Sequence, residues 1–174
     1  SLQKVIELPF QPVFRQPPAM EAGLFDWEDP AYIKDFPLDL PAEITRQTNS
    51  LQKSLLLMQY LGRMNSTSHV TRVSLPESPL TISKLMVRDK LRGNCYNDSI
   101  LFATLLQREG LFARLVYFDG TDGLGGTGHN MVEVWLNPDG PWVLFDPQQN
   151  AYYTDAQNRL LSSFQLRDAI LSSS

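Results

Sequence analysis

At Gly110 the hydrophobic pattern of this chain changes period, from about 3.6 residues to about 2, so a helical half gives way to a half built of strands. Before it, Ile100, Leu101, Ala103, Thr104, Leu105 and Leu106 recur at helical spacing. Asn94 is placed as the N-cap of that helix, and Gly110 as the residue that ends it in a left-handed C′ conformation. The tight Arg92-Gly93-Asn94 turn therefore delivers the chain's one cysteine, Cys95, to the first turn of a helix. Orphan backbone N–H groups and the positive end of the helix dipole favour an anion there. They lower a thiol pKa from its free value of about 8.5, and the same N–H groups can donate to an oxyanion. The competing reading of a lone cysteine is a small buried hydrophobe.

After Gly110 the strands begin. Residues 111–118 are β-branched and aromatic enough for one, and residues 119–128 come next as a glycine-rich loop. That loop has no Lys-Ser/Thr ending and no helix behind it, so it is not a phosphate-cradling loop. A flap over a site, or a long hairpin connection, fits it better. Residues 129–136 and 142–146 alternate on either side of Asn137-Pro138-Asp139-Gly140, a strong turn signal, and should pair antiparallel.

A loop of even length sets Trp135 opposite Trp142 and Met131 opposite Asp146. His129, Met131, Glu133, Trp135, Trp142, Leu144 and Asp146 then share one face. Val132, Val134, Leu136, Val143 and Phe145 make the apolar face opposite. Asp146 becomes a diagonal neighbour of His129. An odd loop would send it to the other face. In the even register, Cys95, His129 and Asp146 suit one chemistry. A thiol needs a base to become a thiolate and an acid to protonate a leaving amine; one imidazole supplies both in turn, oriented by a carboxylate on its other nitrogen.

Upstream, residues 1–40 are dense in proline and aromatics, from Pro9 and Phe10 to Phe36 and Pro37. Prolines exclude a helix or central strand and the aromatics argue against free disorder, so this is an extended arm or the tail of an upstream module, with a short strand at residues 4–8. Residues 41–174 are the domain proper. Pro41 suits N1 of a long amphipathic helix over residues 42–63, with Ile44, Leu51, Leu55, Met58 and Leu61 on its packed face. The polar stretch 65–79 carries His69, read as solvated. Residues 81–90 form a short helix or turn with Leu85 and Val87 inward.

Composition sets the outer limits. With 174 residues, 43% hydrophobic and 20% charged, the chain fits one soluble globular domain. A net charge of -4 and a pI near 5.1, with no basic cluster, argue against nucleic acid as a partner. One cysteine excludes an intrachain disulfide, and two histidines far from it give no zinc spacing. No cofactor and no metal is expected. No apolar run is long enough to span a bilayer. The chain begins at Ser1 without methionine, as a trimmed chain or a mature form with its export signal removed would, so an upstream domain and the compartment stay open.

Three segments together resemble the transglutaminase-like core: Gly93-Asn94-Cys95 leading a helix that runs into Leu105-Leu106-Gln107-Arg108-Glu109-Gly110, Gly128-His129-Asn130-Met131-Val132-Glu133-Val134-Trp135, and Trp142-Val143-Leu144-Phe145-Asp146-Pro147. The resemblance implies a papain-like α+β fold, N-terminal helices packed on an antiparallel sheet. It implies Cys95 as nucleophile, His129 as general base and acid, and Asp146 as its orienter. A second oxyanion donor in such enzymes is often an upstream Trp, Gln or Tyr; Gln59, Tyr60 and Trp27 are candidates here. Met131 stands where many relatives carry an aromatic.

The function implied is Cys-dependent acyl transfer from a peptide, isopeptide or side-chain amide through a thioester, with water as the expected acceptor. The animal cross-linking relatives, which pass the acyl group to an amine, need calcium sites, and no EF-hand-like loop is present. Asp119 and Asp122 are ordinary turn residues. The rival is a transglutaminase-like binding or scaffold domain without turnover.

Overall fold

The computed structural model describes residues 38–66, 78–89, 91–118, 128–136 and 140–172. The arm at residues 1–37 with its expected strand and Trp27, His69, the glycine-rich loop with Asp119 and Asp122, and residues 137–139 of the hairpin turn lie outside the described residues. Among the described residues four helices, α1 (Ala42–Thr45), α2 (Ser50–Ser66), α3 (Pro79–Arg88) and α4 (Cys95–Arg108), precede a sheet of β1 (Phe112–Phe118), β2 (His129–Trp135), β3 (Trp142–Asp146) and β4 (Ala151–Tyr152), and α5 (Ser163–Ser172) comes after it. The strands are antiparallel throughout and lie in the order β1-β2-β3-β4. The fold is α+β, with N-terminal helices on an antiparallel sheet, as the sequence implied.

Helix α4 starts and stops where its caps place it. The Asn94 side chain accepts from the Asn97 N–H at 3.0 Å while the Asn97 side chain accepts from the Asn94 N–H at 3.2 Å, a reciprocal capping box. At the other end Gly110 takes φ 79°, its N–H donates to the Gln107 carbonyl, and the Leu111 N–H donates to the Leu106 carbonyl. These are the two bonds of a Schellman motif, which needs a residue free of the Cβ penalty at positive φ. Between the caps every residue from Asn97 to Leu106 is buried. The apolar stripe read from the sequence is wider than one face, because β1 and β2 cover one side of the helix and α2 and α3 cover the other.

The expected long helix over 42–63 is two helices. Asn49 interrupts it: its side chain accepts from the Gln52 N–H at 3.0 Å, which makes it the N-cap of α2, while α1 closes at Arg46. Thr48-Asn49-Ser50 carries the cap signal, and a cap is worth about 1 kcal/mol, enough to restart a helix here. Helix α3 turns differently from expectation as well. Ile82 and Met86, one turn apart, are buried together with Pro79 and Ser83, Leu85 is partly buried, and Val87 is 53% exposed on the far side.

The β2–β3 register is the even one, with Trp135 opposite Trp142 and Val132 opposite Phe145. Val132, Val134, Leu136, Val143 and Phe145 face the main core with Leu57, Leu61, Ile82 and α4. Phe102 and Phe145, both fully buried, meet edge to face at 6.0 Å, a contact worth about 1 kcal/mol beyond its area. On the other sheet face Met131 and Leu144 pack with Leu161 and Leu166, so α5 closes the side that the sequence left mostly polar. A Ser162/Gln165 capping box starts α5.

One carboxylate holds that second layer. Glu133 is fully buried; its Oε2 accepts from Arg114 Nε and Nη2 at 2.8 and 2.6 Å, and its Oε1 accepts from the Ser163 N–H and hydroxyl at 2.7 and 2.6 Å. The guanidinium also lies 4.2 Å from the Trp142 ring centroid. Removing the carboxylate strands the first turn of α5 and an Arg that is only partly solvated. Glu133→Ala is expected to destabilise the domain by about 3 kcal/mol in urea unfolding, the lower end for a broken buried pair because Arg114 reaches water.

Candidate active site

Cys95 is the first residue of α4 and is partly exposed. Its own N–H sits where no intrahelical acceptor exists, while the capping box occupies the N–H groups of Asn94 and Asn97 on either side. Gly93 makes room for that box. A Cβ there would come within 2.5 Å of the Asn97 Cβ, a distance that cannot be relieved by a flexible side-chain tip.

The start of β2 brings the remaining groups. His129 Nε2 lies 2.7 Å from Asp146 Oδ2, with the histidine side chain 28% exposed and the aspartate 2%. Nε2 thus faces the carboxylate, and Nδ1 is the nitrogen left for the thiol, to which His129 is hydrogen-bonded. The structure therefore brings together Cys95, His129 and Asp146, the three residues read from the sequence. Asp146 is fixed from several sides: its Oδ1 accepts from the Gln148 and Gln149 N–H groups at 3.1 Å each, and the Tyr153 hydroxyl bonds to it as well. The turn role expected of an aspartate before Pro147 and the partnership with His129 use different oxygens of the same carboxylate.

Charge is set by these contacts. Burial pushes the Cys95 pKa up, but the Asn130 backbone N–H, the hydrogen bond with His129, the Asn130 carboxamide and the histidine charge outweigh it and hold the thiol below its ordinary value. The hydrogen bond to Asp146 raises His129, against burial and with help from the charges of Asp146 and Cys95. Both shifts favour thiolate beside imidazolium. Such a pair can pass one proton back and forth at near-neutral pH.

Three residues of the site are not among those the sequence pointed to. Asn130 contacts the sulfur through Nδ2 at 3.9 Å. Ser99, fully buried one turn into α4, donates from Oγ to the Asn130 carbonyl at 3.0 Å and joins the helix to β2. Tyr153 closes on Asp146 from beyond β4. A polar residue next to a histidine and a serine four residues after the cysteine were the available signals. Of the upstream residues named for a second donor, Gln59 is exposed on α2, Tyr60 donates to the Asp39 carbonyl at 3.4 Å, and Trp27 lies outside the described residues. Met131 is buried between Leu144, Leu161 and Leu166.

The chain belongs to the transglutaminase-like superfamily: the model of that family's core matches residues 39–147, from just before α1 to the residue after Asp146. Among solved structures, it is similar to the periplasmic domain of TgpA from Pseudomonas aeruginosa bound to ethylmercury, at 20% identity and a TM-score of 0.40, over 73% of this chain and 52% of that one. The chain thus spans about half the length of that structure. No curated protein matches it.

The geometry sets three expectations. The thiolate is lost as pH falls through the lowered Cys95 pKa, so iodoacetamide alkylation should persist to lower pH than that of a free cysteine. His129→Ala removes a hydrogen bond and a positive charge from the thiolate, and the limb of that profile should move to higher pH. Gly93→Ala should slow alkylation of the native protein by displacing the capping box, and Gly93→Ser equally, since both add the offending Cβ. An unchanged rate in both would show that the turn gives way without moving Cys95.

Proposed function

We propose that this domain is a Cys-dependent amide acyl-transfer enzyme, a hydrolase acting on a peptide, isopeptide or side-chain amide. The observation that carries the reading is the Cys95–His129–Asp146 constellation, with the thiol pKa lowered and the imidazole pKa raised. Family membership supports it. So does the partial exposure of Cys95, which a purely structural thiol in the core would not have.

In this scheme Cys95 gives its proton to His129 Nδ1 and the thiolate adds to the amide carbonyl. Collapse of the tetrahedral adduct breaks the C–N bond. The imidazolium protonates the departing amine, leaving a thioester on Sγ. Water, deprotonated by the neutral imidazole, then releases the acid and restores the thiol. Asp146 keeps Nε2 protonated and the ring oriented throughout, and stabilises the imidazolium. The Gln148 and Gln149 N–H groups and the Tyr153 hydroxyl hold the carboxylate in place for that role. Residues 1–40 are proposed as an arm that leads into the catalytic domain at Pro41, with its last residues, Leu38 and Leu40, packed on the domain core.

The test needs no natural substrate. Mass spectrometry of the protein with p-nitrophenyl acetate should find one acetyl group on Cys95 that decays to acetate in water. An added alkylamine that captures most of the acetyl group as amide would make the domain a transamidase instead. Cys95→Ala should abolish the adduct with a melting temperature within about 2 °C of the parent, as for a substitution outside the core. Asp146→Asn should cost at least about 10²-fold in turnover, since the amide permits the wrong tautomer. No adduct on the wild-type thiol would instead favour a non-catalytic binding domain.

A further inference from the structure

Asn130 touches the thiol and has no part in the scheme above. Its carboxamide Nδ2 lies 3.9 Å from Cys95 Sγ, and its own backbone N–H bonds the same sulfur. It is not free to drift. The Ser99 hydroxyl, on the helix that carries Cys95, holds its carbonyl at 3.0 Å, and across β1 it pairs with Tyr117 in the sheet. Cysteine and carboxamide are thus set on one frame, although they are 35 residues apart in sequence.

As a bond to resting sulfur the contact is weak, because 3.9 Å is long for any donor and sulfur is a poor acceptor. It is better placed for the step after attack. When Sγ bonds to the carbonyl carbon, the C=O π pair moves onto oxygen, and that anionic oxygen is attached to the carbon the sulfur now holds. A donor one long contact from Sγ comes within about 3 Å of that oxygen when the carbonyl binds with its oxygen turned toward Asn130, and that is the distance an oxyanion donor requires.

We infer that the Asn130 carboxamide is a catalytic hydrogen-bond donor to the oxyanion, acting with the Cys95 N–H at the start of α4. The inference rests on the acyl-transfer reading of the same site. Asn130 fills the place for which Gln59, Tyr60 and Trp27 were named in the sequence. Of those, Gln59 is exposed on α2, Tyr60 bonds the Asp39 carbonyl, and Trp27 lies outside the described residues. During attack the S–C bond forms as the C=O π bond opens onto oxygen, where two N–H groups receive the charge. The π bond then reforms, and the leaving group departs with its electron pair, protonated by His129 when it is an amine.

Two probes on one sulfur separate this role from simple support of the thiolate. Iodoacetamide reacts by displacement at a saturated carbon and forms no oxyanion; p-nitrophenyl acetate acylates through one, and its nitrophenolate leaves without a proton. Both rates are measured for the wild type, Asn130→Leu and Asn130→Ala, each at a pH where its alkylation profile has reached the plateau. The expected result is alkylation within about threefold of wild type and acylation reduced roughly a hundredfold in both variants. An unfolded variant would react with both probes like free cysteine, so misfolding does not imitate a selective loss of acylation. Equal losses with the two probes, or no loss with either, would overturn the assignment. A wild-type Cys95 that alkylates and acylates like free cysteine would sink the acyl-transfer reading and this inference together, and is read before any variant is made.

Discussion

Ten consecutive residues of α4, from Asn97 to Leu106, are buried, so this helix has no solvated face along which to slide or rotate. Its packing between the sheet and α2 and α3 fixes where its first residue lies, and its first residue is Cys95. Both helix ends are closed by the chain itself, through the Asn94/Asn97 box and the Gly110 Schellman bonds, so the buried helix leaves few backbone groups for its neighbours to satisfy. The Lys53–Glu109 ion pair, both side chains little exposed, ties α2 to the end of α4. A thiol on a loop would have no such constraint. Here its position is a consequence of core packing, and the cost of moving it is the cost of repacking the domain.

The second half of the site depends on strand register. His129 begins β2 and Asp146 ends β3, and only the even pairing, Trp135 against Trp142, sets imidazole and carboxylate 2.7 Å apart. The core face of the same hairpin enforces that pairing, because a slip of β3 by one residue would turn Val143 and Phe145 away from α4. Glu133 and Leu144 add a second constraint on the opposite face through α5. Hydrophobic burial on one face and a buried ion pair on the other thus specify the geometry of two residues that contribute little to either.

Local chemistry then makes the two halves electrically coherent. Asp146, held by two backbone N–H groups and the Tyr153 hydroxyl, raises the basicity of His129, and His129 with Asn130 offsets the burial of the thiol. Each member favours the charged form of the next. In a transglutaminase-like domain this is the state from which the proposed thiolate chemistry starts, and Ser99 keeps the helix and the strand that carry it from separating.

The sequence by itself determined the caps of α4, the period change at Gly110 and the hairpin with its two registers, because each is written in residues close together in the chain, and it singled out Cys95, His129 and Asp146 as the candidate site. Two further local signals lie in it beneath the stronger periodicity around them: Asn49 as a cap that splits the first helix, and Ser162 with Gln165 as the start of α5. Tertiary structure alone decided the rest. Periodicity shows that a helix has an apolar side but not that a second layer will bury the other, which is why α4 is covered all round and Val87 points outward. Asn130 reaches the sulfur and Tyr153 reaches Asp146 only because elements distant in sequence are packed together. Neither contact has a period or a spacing that a linear pattern can record; each is set by volume filled in the core and by strands brought into one register.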